Sequence, residues 1–322
     1  MVRSSQETAG REGAASASPS PPAPAGKAGR GGRRALLAAL LLAPLAAAVL
    51  YSGHVALLLR REMRPARLPV RAVLGESELS GFREVSFRTR DSTDLSGWWL
   101  PPRNGAAVIL VHGLGATREQ MLPQARMLRS AGFGILLFDL RAHGRSGGSV
   151  STFGDGERLD VRAAVDFASA DPGVAPGRLG ALGFSLGALA VAAESAEDER
   201  VGALALEAGY GTMEELLRHK YGRAGAFSEL PALAAARGFG LRVGEVRPLD
   251  RLGSLPPRPV LLVYGERDRV TPPAVGREFL AALGGQAELW VVPGGAHGGW
   301  ERLAPDELES RLVRFFKAAL LR

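Results

Sequence analysis

Short, uninterrupted apolar runs alternate with stretches of helical periodicity from about residue 82 to the carboxyl terminus, and few folds accept that pattern. The runs are AAVILVHG (106–113), FGILLFD (133–139), RLGALGF (178–184), VGALALE (201–207), PVLLVYG (259–265) and AELWVVPG (287–294). A strand that is apolar at nearly every position is buried on both faces. Between the runs, residues 117–131, 155–170, 186–198, 273–283 and 303–320 each repeat apolar side chains at helical spacing. Buried strands interleaved with helices predict an α/β fold, with a mostly parallel sheet covered on both faces. Ahead of them, Phe82, Val85 and Phe87 alternate with charged residues, and Leu95, Trp98, Trp99 and Leu100 follow a turn at 91–94. This predicts an antiparallel opening pair. The folded domain is expected to run from about 78 to 322, and ligands in such sheets sit at the carboxyl ends of the strands.

One interval interrupts the alternation. Residues 210–250 are too long for a connection between neighbouring elements and predict a small cap over the sheet. Tyr210, Leu217, Tyr221, Phe227, Leu233 and Phe239 could line an apolar pocket beneath it, or could pack the cap itself.

The amino-terminal part has a different character. Residues 1–34 are rich in Ala, Gly, Ser and Pro with scattered positive charge, and are expected to be disordered. Residues 35–59 carry no formal charge. As a helix, they are long enough to cross a hydrocarbon layer of about 30 Å. We expect a single-pass membrane anchor that contacts lipid, followed by a basic juxtamembrane linker at 60–77. A cleaved signal peptide, with Ala46, Ala47 and Ala48 at the cut, is the competing reading. The flanking charges nearly balance, so they do not orient the segment.

The formal net charge of +7 has to be located before it is interpreted. Residues 1–34 hold six basic side chains against two acidic ones, and residues 60–71 hold five against one. The remainder is therefore close to neutral. Positive charge confined to the flanks of an apolar segment implies attraction to a membrane surface, so no nucleic-acid partner is expected. The chain has no cysteine, which removes disulfides, thiolate catalysis and cysteine-ligated metals.

The chemistry concentrates in three places. Ser185 lies in GFSLG, between a buried run and a helix, where a sharp turn would project its hydroxyl from the sheet. Gly183 and Gly187 would keep the flanking backbones clear of it. The helix that starts just after Ser185 has free N–H groups, and the Leu186 amide could face developing negative charge. A serine hydroxyl needs a base. His297, in a glycine-rich loop after the last predicted strand, is in the right place and chain order. Asp268, three residues beyond Gly265, could hold that imidazole, with Glu266 and Asp250 as weaker rivals. HGLG (112–115) follows the first buried strand and offers the Leu114 amide as a second oxyanion donor, with His112 shaping the turn by hydrogen bonding. His112, His143, Asp139 and Asp268 have no metal-binding spacing, and no glycine motif fits a dinucleotide, so no metal or cofactor is expected.

Together, Gly183–Gly187, His112–Gly115, the segment Asp139–Ser146, Gly265–Asp268 and Gly295–Gly298 resemble the α/β-hydrolase superfamily. Within it they are most similar to its bacterial serine hydrolases: carboxylesterases, monoacylglycerol-lipase-like proteins and the serine aminopeptidase-like group. The likeness covers about 82–320. It implies an eight-stranded sheet whose second strand is antiparallel, with Ser185, Asp268 and His297 as a catalytic triad and Leu114 and Leu186 as amide donors. Ala142 departs from the pattern, standing where the family's D-x-R-G-H-G-x-S loop has glycine. The resulting expectation is a membrane-anchored serine hydrolase acting on carboxylic esters, lipid-like ones included. An aminopeptidase or acyltransferase with the same triad, and a membrane-anchored binding domain without turnover, are the alternatives.

Overall fold

A computed structural model describes residues 28–75, 80–222, 225–252 and 258–322. Most of the tail expected to be disordered therefore lies outside the described residues. The chain divides into two units, residues 1–47 and 48–322.

The apolar runs become strands β1 (Arg83–Arg88), β2 (Asp94–Leu100), β3 (Ala107–Val111), β4 (Gly134–Phe138), β5 (Leu179–Phe184), β6 (Val201–Glu207), β7 (Val260–Gly265) and β8 (Ala287–Val292). They form one eight-stranded sheet in the order β1-β2-β4-β3-β5-β6-β7-β8. β2 is antiparallel to both its neighbours, while the other pairings, from β4 through β8, are parallel. This is the arrangement the resemblance implies.

The helices are α1 (Ala28–Glu62), α2 (Leu122–Ser130), α3 (Glu157–Ser169), α4 (Leu186–Ser195), α5 (Met213–Tyr221), α6 (Ala226–Gly238), α7 (Pro248–Leu252), α8 (Pro273–Leu283), α9 (Trp300–Leu303) and α10 (Pro305–Leu320). Strand geometry sends alternate side chains to opposite faces. On β3, Ala107, Ile109 and Val111 join the core under α3 and α4, while Val108 and Leu110 join the core under α2 and α10. On α10, Leu308, Leu312 and Phe316 form a buried stripe at i, i+4 and i+8. A Cβ at Gly180 would come within 2.7 Å of the Phe316 ring, so β5 accepts that helix only because glycine faces it.

Helix α1 carries no formal charge from Ala35 to Leu59 but is not uniform in its surroundings. Leu36, Leu37, Leu40, Leu42 and Leu45 are exposed, and the stretch Gly32–Glu62 is long and apolar enough, by length and composition, to cross a membrane. Further along, Val55, Leu59 and Met63 recur at i, i+4 and i+8 and are only 2%, 0% and 6% exposed. That face belongs to the core of the second unit, and the Tyr51 ring lies 5.8 Å from Phe227 of α6. The stretch beyond α1 is also fixed. Ser151 N–H donates to the Met63 carbonyl, and Arg67 donates to the carbonyls of Ser146 and Gly148. The Glu119 carboxylate accepts from the N–H groups of Arg71 and Ala72. The last turns of the apolar segment are thus part of the folded domain's packing.

Emptying a fully buried leucine site costs about 2–5 kcal/mol, whereas trimming an exposed one costs less than about 1 kcal/mol. Leu59→Ala is therefore expected to lower unfolding stability by several times as much as Leu57→Ala, because Leu57 is exposed. Denaturant titration followed by tryptophan fluorescence, with both variants in the same detergent, measures the difference.

Candidate active site

Between the end of β5 and the start of α4 the chain reverses at a single residue. Ser185 sits there at φ 53°, ψ −113°, in a region L-residues seldom occupy. The turn is possible because its neighbours are glycine. A Cβ on Gly183 would lie 2.4 Å from the Gly187 carbonyl oxygen, and one on Gly187 would lie 2.3 Å from that of Val111. The Ser185 N–H donates to the Glu207 carbonyl, which ties the turn to the end of β6.

Two loops from the far side of the sheet meet this serine. His297 Nε2 lies 3.1 Å from Ser185 Oγ, and His297 Nδ1 lies 2.8 Å from Asp268 Oδ2. The Asp268 side chain is fully buried, and its other oxygen accepts the N–H groups of Val270 and Thr271 at 2.7 and 2.8 Å. A carboxylate with these partners is fixed in place and directs Nδ1–H toward itself. The Nε2 lone pair is left for the hydroxyl. The close approach of the two loops again depends on glycine, since a Cβ on Gly265 would lie 2.3 Å from the Ala296 carbonyl oxygen. The rival carboxylates are engaged elsewhere. Glu266 accepts from the Gly294 N–H, and Asp250 pairs with Arg247.

The loop after β3 forms the opposite wall. Gly113 N–H donates to Gln120 Oε1, and Gly115 N–H donates to His143 Nε2. The intervening Leu114 N–H and the Leu186 N–H have no hydrogen-bond partner among the described residues. His112 accepts from the Leu140 N–H through Nε2, and its Nδ1 donates to the Gly113 carbonyl, so it shapes the turn as its position implies. Burial, reinforced by nearby His143, pushes His112 down to about 4 and keeps it neutral. Ala142, the departure from the family loop, adopts φ 63°. The buried Arg118–Asp139 pair, 2.7 Å apart, anchors the loop that carries it. Burial works against ionising Asp139, but the bonds and charge of Arg118 outweigh it and hold the carboxyl below its ordinary value.

The cavity over Ser185 has a volume of about 250 Å³. Leu114, Phe153, Leu186, Tyr210, Leu216 and Val270 line it, with His219, Lys220 and Arg269 among the lining residues. The six cap residues that could line a pocket or pack the cap itself divide between the two roles. Of the six cap candidates only Tyr210 lines the cavity. Leu217, Tyr221 and Leu233 pack into the core, and Phe227 and Phe239 are exposed. Periodicity marks these residues as apolar without saying which way the cap helices are rolled.

A second cavity of about 360 Å³, lined by His297, Phe184, Gln124, Glu207 and Glu301 among others, was not foreseen from the sequence. Glu207, at the end of β6, is buried, and Gln124 Nε2 donates to its Oε2 at 3.0 Å. Burial pushes Glu207 up to about 8, so it is protonated at neutral pH. A carboxylate closing an otherwise apolar strand was the available signal.

An alpha/beta hydrolase family model matches residues 108–311. An uncharacterised protein of Mycobacterium tuberculosis is 30% identical over 240 residues, spanning 74% of this chain and 78% of that one. The uncharacterised protein YfhR of Escherichia coli is 24% identical over 246 residues, spanning 73% and 81%. Among solved structures, the Pyrococcus furiosus esterase Pf2001 superposes with a TM-score of 0.65 at 28% identity, over 80% of this chain and 99% of that one.

Glu207 gives a pH test. In the unfolded chain it ionises near 4.5, but in the fold only at about 8. Between these values the unfolded state releases a proton that the folded state keeps, so this group's contribution to stability falls as pH rises. Glu207→Gln removes that penalty. The stability of the variant relative to the parent is expected to rise steadily from pH 5 to pH 8, measured by denaturant titration at each pH.

Proposed function

The chain belongs to the alpha/beta hydrolase family, and from that premise we propose that it is a membrane-anchored serine hydrolase cleaving carboxylic esters, with Ser185, His297 and Asp268 as its triad. The observation that carries this reading is the continuous chain of contacts from Ser185 Oγ through the imidazole to Asp268. In this reading His297 Nε2 takes the hydroxyl proton as Ser185 Oγ attacks the acyl carbonyl carbon. The Leu114 and Leu186 N–H groups hold the resulting oxyanion. The carbon–oxygen bond to the alcohol then breaks, and His297 returns the proton to the departing alcohol. A water molecule, deprotonated by the same imidazole, attacks the acyl-enzyme, releasing the acid and restoring Ser185.

The cavity supports an acyl group of modest size. Its volume of about 250 Å³ falls below the range of roughly 300–1,000 Å³ usual for drug-sized ligands. Its lining favours esters over peptides with a free amino terminus. Lys220 and Arg269 would repel an α-ammonium group, and no carboxylate lines the cavity among the described residues. The Pyrococcus furiosus protein Pf2001, 28% identical to this chain, is an esterase.

We place the lipid-crossing part of the amino-terminal helix within residues 35–59, ahead of the turns where Tyr51, Val55 and Leu59 meet the protein. Retention of the full chain in the membrane pellet through alkaline carbonate washing, and its loss on deleting residues 1–47, tests the anchor. Recovery of the full chain in the soluble fraction would overturn it.

Ser185→Ala is expected to reduce 4-nitrophenyl butyrate hydrolysis by at least about a thousandfold with unchanged circular dichroism, and to abolish labelling by a fluorophosphonate. Activity within tenfold of the parent would refute the assignment.

A further inference from the structure

The site cavity has a neighbour. A groove of about 630 Å³ runs between the end of α1, the stretch that follows it and the loop carrying Leu114 and Gly115. Leu114 and Lys220 line both the groove and the site cavity, so the two meet at the wall bearing a proposed oxyanion donor. The floor of the groove is apolar, with Leu58, Pro65 and Leu68, whereas its charged side chains are Arg61, Arg64, Lys220 and Glu62.

The charge balance there is one-sided. Glu62 is the one carboxylate lining either space among the described residues, and it is already bonded to Lys220 and to the Tyr221 hydroxyl. Arg61 and Arg64 have no ion-pair partner among the described residues, and Arg269 adds a further cation on the cavity side. Residues 72–322 are nearly neutral in sum, so the excess positive charge of the second unit comes from residues 60–71, part of which forms this wall. The wall that presents it is held in place. Arg67 clamps the 146–148 carbonyls, Glu119 binds the backbone of Arg71 and Ala72, and Met63 bonds Ser151.

We propose that this groove is the subsite for the alcohol half of the substrate, and that the alcohol carries an anionic group, a phosphate or a carboxylate, bound by Arg61 and Arg64. The substrate class is then an anionic amphiphile: an apolar acyl chain over Ser185, esterified to an alcohol whose negative charge rests in the groove. An anion arriving there also competes with Glu62 for Lys220, exchanging one anionic partner for another. The inference rests on the ester-hydrolase reading of the same site, and deepens it.

The test compares 1-octanoylglycerol with 1-octanoylglycerol 3-phosphate, both monomeric, using the full chain in nonionic detergent. The parent is expected to favour the phosphate ester at least about tenfold in kcat/KM at low salt, chiefly through KM, and to lose much of this preference at high salt. Arg61→Gln with Arg64→Gln should bring the ratio near unity, and Arg61→Glu with Arg64→Glu should invert it. Taking the ratio within each variant cancels any loss of folded enzyme. Arg60→Gln is the control, because Arg60 is exposed on the same helix but does not line the groove. It should leave the ratio unchanged.

A parent ratio near one, with Ser185-dependent turnover of both esters, overturns the subsite and leaves the hydrolase reading intact. No Ser185-dependent turnover of either ester, nor of 4-nitrophenyl butyrate, overturns that reading itself. A preference that survives the double substitution, or that falls equally with Arg60→Gln, also refutes the subsite. Adding phosphatidylglycerol to the micelles separates a headgroup site from a membrane contact. Equal, arginine-dependent acceleration of both esters would assign the groove to the lipid surface and overturn the substrate claim.

Discussion

Ser185 occupies a backbone conformation that costs an L-residue on the order of 1–3 kcal/mol, and its surroundings sustain it. The helix after it can start immediately only because Gly187 lies against the carbonyls of Val111 and His112, and the strand before it can end there only because Gly183 faces Gly187. The Glu207 carbonyl takes the Ser185 N–H, so β6 braces the same turn. Since β3, β5 and β6 are adjacent in the sheet, three strand ends converge on one residue. The strain is offset by packing distributed across the whole sheet, which is why the turn and the fold are inseparable.

A second principle governs the loops that reach the serine. None is held by its own secondary structure, and each is pinned by a buried polar group. Asp268 is fixed by two backbone N–H groups, the HGLG loop by His143, and the 139–146 loop by the Arg118–Asp139 pair. Buried polar groups are costly unless satisfied, so each one specifies a single loop geometry. His112 and His143 act here as neutral hydrogen-bonding groups, burial keeping both below the ordinary histidine value.

The amino-terminal helix joins two requirements in one apolar segment. The apolar side chains of its first part are exposed, while Val55, Leu59 and Met63 present a single face to the core of the second unit. Hydropathy alone cannot separate these, since leucine facing lipid and leucine facing a protein core are equally apolar. The burial pattern marks the turns that face the protein core, and it brings Arg61 and Arg64 to the mouth of the site.

The sequence by itself determined the sheet, its antiparallel second strand and the three positions that could carry nucleophile, base and carboxylate. Strand and helix periods, and turn glycines, are local properties, and local properties are written in consecutive residues. Tertiary structure alone decided how the cap helices roll so that Tyr210 lines the cavity and Leu217 does not, and where the apolar helix passes into the protein core. Each of these depends on contacts between residues far apart in the chain. The direction in which a side chain points is set by the element packed against it, and that element is encoded elsewhere.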